Sequence, residues 1–170
     1  MKLSKVKPPE GYPPEKGRYL RSNVFSPLAA VAIQNTFDFK IPQRITNIVR
    51  FSIETDAALT VTLQTENISI EKIIANAVAN PNIQHIVLCT VKSRGHLCGE
   101  ALSSLMEKGV DEEKKIIGTD APTSYLYNSP IGAIERFKKQ VKLINLLNEG
   151  NPEPRGERRE QRAKSEVWDR

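Results

Sequence analysis

The fold of this chain is decided by residues 67–91, which read NISIEKIIANAVANPNIQHIVLCTV. The first half has the apolar period of an α-helix, and Asn67 is a suitable N-cap for it. Its apolar positions are Ile70, Ile73, Ile74, Ala77 and Val78. The Asn80-Pro81-Asn82 turn ends this helix, and an almost unbroken apolar run follows from Ile83 to Val91. Such a run predicts a central parallel strand that is covered on both faces.

The same alternation of strand and helix extends to both sides of this stretch. It predicts further strands at 28–33, 58–63 and 115–118. It predicts helices from 43 to about 54, from 97 to 109, and from the Ser129-Pro130 pair to 147, with Ser129 as N-cap. Connections of this length favour right-handed crossovers between parallel strands. We therefore predict an α/β fold, a Rossmann-like three-layer sandwich with a mostly parallel sheet.

The composition indicates one soluble domain with two short extensions. The chain has 170 residues, of which 39% are hydrophobic and 26% are charged. We predict an extended, proline-rich basic arm at 1–23, the α/β domain at 24–150 and a charged tail at 151–170. No stretch approaches the roughly 20 apolar residues of a membrane span, and the basic N-terminus lacks the apolar core of a signal peptide. We expect a cytoplasmic protein in which Cys89 and Cys98 are free thiols.

The net charge of +5 arises mainly in the first 21 residues. A basic arm of this kind occurs in proteins that bind nucleic acid. However, the chain has a single tryptophan and no stripe of alternating aromatic and basic residues. A solvated lead-in is therefore the favoured interpretation, and we expect no nucleic-acid partner. Assembly into a homo-oligomer stays open.

Two polar segments follow the carboxyl ends of predicted parallel strands. They are Thr65-Glu66-Asn67 and Arg94-Gly95-His96. Cofactors bind at this edge of open α/β sheets, and Gly95 and Gly99 would let a large flat ligand approach the backbone beside His96. The chain has no G-x-G-x-x-G and no P-loop motif, so dinucleotide and P-loop chemistry lack their usual evidence. Simple helix capping by the first segment and a plain surface histidine in the second remain open.

Other chemistries are weaker matches to these residues. A zinc site would draw on Cys89, His96 and Cys98, with His85 on the same strand, but no C-x-x-C pair is present. Thiol catalysis by Cys98 with His96 lacks a residue placed to orient the imidazole. A serine hydrolase lacks its G-x-S-x-G motif.

The longest distinctive stretch resembles a known family. It runs from TENISIEKIIANAVANPNI at 65–83 through IVLC at 86–89 to GHLCG at 95–99. Further similarity lies at 116–118, at 135–144 and, more weakly, around Gly17-Arg18-Tyr19. Over about residues 12–147 the chain resembles the A subunit of tetrahydromethanopterin S-methyltransferase, the corrinoid-carrying component of the methanogen methyl-transfer complex.

The resemblance implies a corrinoid-binding methyl carrier. His96 stands where the family has its proposed lower axial ligand to cobalt. The resemblance also implies a separate methyltransferase subunit, methyl-tetrahydromethanopterin as donor, and coenzyme M or a related acceptor. The cofactor, cobalamin or a related corrinoid, would be contacted by Gly95, Leu97 and Gly99, by Thr65, Glu66 and Asn67 through corrin amides, and at the rim by Gly118, Thr119 and Pro122.

Several positions depart from the family pattern. Leu63-Gln64 replaces a glycine–proline pair with a further histidine or cysteine before Thr65. Arg94 stands where the better-known corrinoid motif has an aspartate, which leaves the second nitrogen of His96 without that partner. The family's C-terminal membrane anchor has no counterpart, so we expect a soluble homologue. The alternatives are a corrinoid-binding or regulatory module without methyl transfer, or a zinc-binding α/β protein.

Overall fold

The computed structural model describes residues 5–34, 41–90 and 97–146, which form one sheet and the helices around it. The strands are β1 (Tyr19–Arg21), β2 (Leu28–Ile33), β3 (Leu59–Leu63), β4 (His85–Thr90) and β5 (Lys142–Asn145). The helices are α1 (Gln43–Glu54), α2 (Ile68–Val78), α3 (Cys98–Lys108) and α4 (Ile131–Gln140). The strand order is β1-β3-β2-β4-β5, and all pairs are parallel except β1 with β3. The predicted α/β fold with a mostly parallel sheet is confirmed.

The helices cover the two faces of the sheet unequally. The larger apolar core joins one face of β2, β3 and β4 to α2, α3 and α4, with Leu63, Leu88 and Phe137 fully buried within it. On the other face, Ile45 and Val49 of α1 pack on Ala32 of β2. Small alanines along β2 allow this close approach of helix to strand. The three layers expected from the sequence are therefore present, with α1 alone among the described helices on the second face.

The last predicted helix is wrong beyond Gln140. The sequence predicts a helix to residue 147, but Val141 is extended, with φ −110° and ψ 136°, and β5 follows it. The backbone N–H of Lys142 donates to the carbonyl of Gln84 at 2.8 Å, which starts the parallel pairing of β5 with β4. The apolar residues at 141, 143 and 144 fit the period of a helix and that of a strand. They form a strand because the free edge of β4 offers main-chain partners.

Two smaller predictions also fail. Residues 115–118 form no strand of the sheet and make only isolated bridges, from Ile116 to Val110 and from Lys115 to Tyr125. Positive φ values at Lys114 (62°) and Gly118 (78°) turn the chain on both sides of this segment, which prevents an extended run. Ser129 is not the N-cap of α4, because Pro130 occupies that position and makes no side-chain cap bond.

The N-terminal segment is held to the domain more firmly than the sequence predicts. β1 lies within the predicted arm and pairs antiparallel with β3, from Tyr19 opposite Val61 to Arg21 opposite Leu59. Farther towards the N-terminus, Asn82 accepts a bond from the N–H of Val6 at 2.9 Å and donates to its carbonyl at 2.6 Å. The predicted tail at 151–170 lies outside the described residues.

Replacing Gln140 with leucine tests the end of α4. Its side-chain amide donates to the carbonyls of Ala77, Asn80 and Ile83 at 2.8, 3.0 and 3.0 Å. Leucine leaves these carbonyls without that donor, so we expect Gln140→Leu to lower the free energy of unfolding by about 2 kcal/mol. Urea unfolding measures the change. The exposed neighbour provides the control Lys139→Leu, and equal stability of the two variants would contradict the role of Gln140.

Candidate functional site

The candidate site lies at the carboxyl ends of β2 and β4, which are neighbouring strands of the sheet. α1, which follows β2, and α3, which follows β4, lie on opposite faces of the sheet. The two connections therefore diverge at the carboxyl ends of two neighbouring strands, which is the topological switch point where open α/β sheets bind ligands. The predicted site residues Gly95 and His96 fall in the connection after β4 and lie outside the described residues.

Gln34 lies at this switch point, directly after β2. Its backbone N–H donates to the carbonyl of Leu63 at 3.0 Å and so extends the pairing of β2 with β3. The side chain is 1% exposed, and neither its amide nitrogen nor its amide oxygen has a hydrogen-bond partner in the described parts of the chain. Buried polar groups almost always have partners, so the bare amide of Gln34 marks a place where a hydrogen-bonding partner is missing. The sequence interpretation missed Gln34, although a polar residue at the end of the apolar run 28–33 is the signal that marks it.

The segment Thr65-Glu66-Asn67 begins α2 at the carboxyl end of β3. The side chain of Asn67 accepts a bond from the N–H of Ile68 at 2.7 Å. The hydroxyl of Thr65 accepts one from the N–H of Ser69 at 3.1 Å. The predicted N-cap at Asn67 is confirmed, and both side chains perform helix-start chemistry. Their predicted contacts with a ligand stay a prediction.

Glu66 connects this segment to the rim loop, which we define as residues 118–123. Its buried carboxylate accepts bonds from the hydroxyl of Thr123 at 2.8 Å and from the N–H of Thr123 at 3.3 Å. The hydroxyl of Ser104 in α3 donates to the carbonyl of Gly118 at 3.1 Å. The rim loop is thus bonded both to Glu66 and to Ser104 of α3.

The predicted rim positions differ in exposure. Gly118 and Pro122 are exposed, and Thr119 is half-buried with its hydroxyl accepting a bond from the N–H of Ala121 at 3.2 Å. The side chain of Lys108 packs over Gly118, where an added Cβ would lie 2.4 Å from the lysine nitrogen. The lysine end can move aside, but Gly118 has φ 78°, so its backbone conformation favours glycine there.

The start of α3 contributes three residues next to His96 in sequence. Leu97 is 39% exposed, whereas Cys98 and Gly99 are buried. The Cys98 sulfur lies 3.9 Å from the carbonyl oxygen of Leu63, and burial raises the pKa of its thiol to about 11. At neutral pH Cys98 is therefore protonated, which is the state that thiol catalysis cannot use.

The structure also weighs against the zinc alternative. Both cysteines are thiols and form no disulfide, as predicted. Cys89 alternates with Leu88 along β4 and so lies on the face of α1, whereas Cys98 belongs to the core of the opposite face. Within residues 5–34, 41–90 and 97–146, no cluster of three histidine, cysteine, aspartate or glutamate side chains has the geometry to hold a metal ion.

Known proteins are similar to this chain over most of its length. Residues 5–158 match the family model that describes the A subunit of tetrahydromethanopterin S-methyltransferase. The chain belongs to this family. One relative is the A subunit of Methanosphaera stadtmanae, 35% identical over 140 residues, which are 82% of this chain and 52% of the relative. Methanothermobacter marburgensis has two such A subunits, numbered 1 and 2. Number 1 is 36% identical over 147 residues (86% of this chain, 57% of the relative), and number 2 is 32% identical over 152 residues (89% and 76%).

The chain matches only part of the length of several members of the family. The chain spans about half the length of the Methanosphaera stadtmanae protein and of the first Methanothermobacter marburgensis protein. Among the described residues, none of the helices has the length and apolar character needed to span a bilayer.

Replacing Gln34 with leucine tests whether its amide lacks a partner in the ligand-free protein. Leucine has a similar size and removes a buried polar group, so we expect Gln34→Leu to raise the free energy of unfolding by about 1 kcal/mol. Urea unfolding of the ligand-free chain measures this change. The matched control is Gln140→Leu, which removes a bonded amide and has the opposite expected sign. A loss of stability in Gln34→Leu would show that its amide is already bonded.

Alkylation tests the burial of Cys98. We expect iodoacetamide at pH 8.5 to modify Cys89 before Cys98, because Cys89 is half-buried and Cys98 is fully buried. Mass spectrometry of the peptides, with and without urea, identifies the modified residue. Rapid labelling of Cys98 in the folded chain would contradict its burial.

The same burial of Cys98 predicts a loss of stability in alkali. The pKa of Cys98 is about 11 in the folded chain and has its usual value of 9.0 when exposed. The unfolded state therefore releases this proton first as pH rises, so the contribution of Cys98 is complete below pH 9.0 and is lost between there and about 11. Cys98→Ala is expected to flatten this part of the curve of stability against pH.

Proposed function

We propose that this chain binds a corrinoid at the switch point between β2 and β4 and acts as a methyl carrier for a separate methyltransferase subunit. Membership of the tetrahydromethanopterin S-methyltransferase family supports the methyltransferase role. The observation that carries the proposal is the unpartnered amide of Gln34 at the edge where this class of sheet binds its ligands.

The residues at this edge fit a corrinoid. A corrin ring carries amide side chains around its rim, and these can both donate to the oxygen and accept from the nitrogen of Gln34. The exposed side chain of Leu97 adds an apolar contact at the start of α3. His96 is the proposed lower axial ligand, and Gly95 and Gly99 would leave room for the ring. When bound, a corrinoid supplies a cobalt that takes up and releases a methyl group.

The remaining residues of the site hold the segments around the proposed ligand in position. The bond from Thr123 to Glu66 holds the rim loop beside the start of α2. Cys98, two residues from His96, points its sulfur towards the Leu63 carbonyl and is held as a neutral thiol.

The family name points to the methyl donor of the proposed reaction, and the acceptor is part of our proposal. We infer a methyl-tetrahydropterin as donor, with methyl-tetrahydromethanopterin the first compound to test, and coenzyme M or a related thiol as acceptor. Both reactions require partner proteins, because a carrier presents the methyl group and does not itself bind donor and acceptor.

Corrinoid uptake tests the proposal. The chain is mixed with hydroxocobalamin without oxygen, and retained cofactor is quantified by absorption after gel filtration. We expect the wild type to retain about one equivalent, and the reduced cobalt(II) form to show an EPR nitrogen splitting that changes when the histidines are ¹⁵N-labelled, because the free cofactor has a nitrogen base of its own. His96→Ala is expected to lose that splitting and to bind at least roughly tenfold more weakly, the effect of about 1.4 kcal/mol.

His85→Ala is the matched control for His96. His85 is the other histidine of the chain and lies at the amino end of β4, at the opposite edge of the sheet from the site. We expect this variant to retain corrinoid with unchanged splitting. A wild type that retains no corrinoid would overturn the proposal, and unchanged splitting in His96→Ala would remove His96 as the ligand.

Methyl transfer then separates a carrier from a regulatory module. The loaded chain is incubated with methyl-tetrahydromethanopterin and a candidate partner protein, and cofactor methylation is followed by absorption. Methylation that requires both proteins supports the carrier. Stable corrinoid binding without methylation by any such partner favours the regulatory alternative.

A further inference from the structure

A second cavity lies away from the switch point, on the β1 side of the sheet. This arm pocket has a volume of about 240 Å³ and lies between arm residues 15–19 and the first half of α2. Residues at the end of β3 and the start of α2 complete it. All of its lining residues belong to the described part of the chain, and most of them play no part in the proposed corrinoid site.

The outer wall of the arm pocket is fixed in place. Asn76 of α2 is buried and accepts a bond from the N–H of Glu15 at 2.9 Å while donating to the Glu15 carbonyl at 3.4 Å. One turn earlier in α2, the ammonium of Lys72 donates to the carbonyl of Lys16 at 2.7 Å. With β1 paired to β3 immediately afterwards, the arm is held on both sides of the cavity. The pocket is therefore built into the fold.

The charge of the lining is strongly one-sided. Lys16, Arg18 and Lys72 line the pocket together with a single carboxylate, that of Glu15. A lysine ammonium has three N–H donors, and Lys72 uses one of them on the arm. Three cations against one anion leave two positive charges for a ligand to balance.

The floor of the pocket is apolar. Val61 of β3, Ile73 of α2 and the ring of Tyr19 line it beneath the charged rim. A bare inorganic ion would leave this surface in contact with water. A ligand with an apolar body covers it and adds about 25 cal/mol for each Å² that it buries.

We propose that the arm pocket binds a small phosphate monoester with an apolar body. A phosphate monoester carries a charge of about −1.5 to −2 at neutral pH, which balances the excess of the lining. Arginine and lysine are the side chains that bind phosphate through charge-assisted bonds. The proposal is independent of corrinoid binding, and its test needs no corrinoid.

Three probes separate the contributions of the head group and the body. Phenyl phosphate has both, inorganic phosphate has only the charge, and benzyl alcohol has only the ring. They are titrated into the ¹⁵N-labelled chain, and amide shifts are followed by NMR. We expect phenyl phosphate to bind most tightly, to shift the amides of Gly17, Thr65 and Ser69, and to weaken as salt is raised.

Charge-removing variants test the assignment to this pocket. Lys72→Gln and Arg18→Gln are each expected to weaken phenyl phosphate binding roughly tenfold, while Lys139→Gln, the same change on the exposed side of α4, leaves it unaltered. Arg18→Gln keeps the test valid even if loss of the Lys72 bond loosens the arm. The proposal is overturned if phenyl phosphate binds no better than benzyl alcohol, or if all three variants bind it equally.

Discussion

The parallel pairing of β2 with β4 is the interaction on which the other elements depend. It runs from Leu28 opposite His85 to Ile33 opposite Thr90 and joins strands that are separated by α1, β3 and α2. The turn after α2 aligns it, because the side chains of Asn80 and Asn82 both donate to the carbonyl of Val24 at 2.9 and 3.1 Å. The N–H groups of residues 84 and 85 then both donate to the carbonyl of Pro27 at 2.9 Å. Polar bonds at one end of the strands thereby set the register that aligns the carboxyl ends of β2 and β4 at the switch point.

Most of the fold follows from local patterns. α2 can be predicted from the sequence because its apolar spacing, its N-cap Asn67 and the asparagine–proline turn after it all indicate the same helix. A sequence specifies one structure when such independent signals agree. β5 cannot be predicted locally, because its apolar residues fit a helix as well as a strand and become a strand by pairing with the free edge of β4. β1 likewise cannot be predicted from its own residues, because three residues of an otherwise irregular arm form a strand only by pairing with β3.

The candidate site is less predictable than the fold. Its place at the carboxyl edge follows from the strand order, and the pairing of Glu66 with Thr123 adds a contact between segments that are distant in sequence. The segment 65–67 combines two roles that sequence alone does not separate, since Asn67 and Thr65 serve the helix while Glu66 holds the rim loop. Gln34 shows the limit most clearly, because its position after an apolar strand is visible in the sequence, whereas the absence of a partner for its amide is a property of the folded surroundings.

The way in which α2 holds the arm has a consequence for how this surface can change. Asn76 and Asn82 contact only main-chain atoms of the arm, and Lys72 likewise contacts a carbonyl. These bonds therefore do not depend on which side chains stand at residues 6, 15 and 16, although a proline at residue 6 or 15 would remove an N–H that they require. Substitutions at 16 and 18 can alter what the arm presents to a ligand while its seat on the domain stays the same. The arm is therefore attached through its main chain and contacts a ligand through its side chains. The ligand preference of the arm can change by substitution while these main-chain bonds are kept.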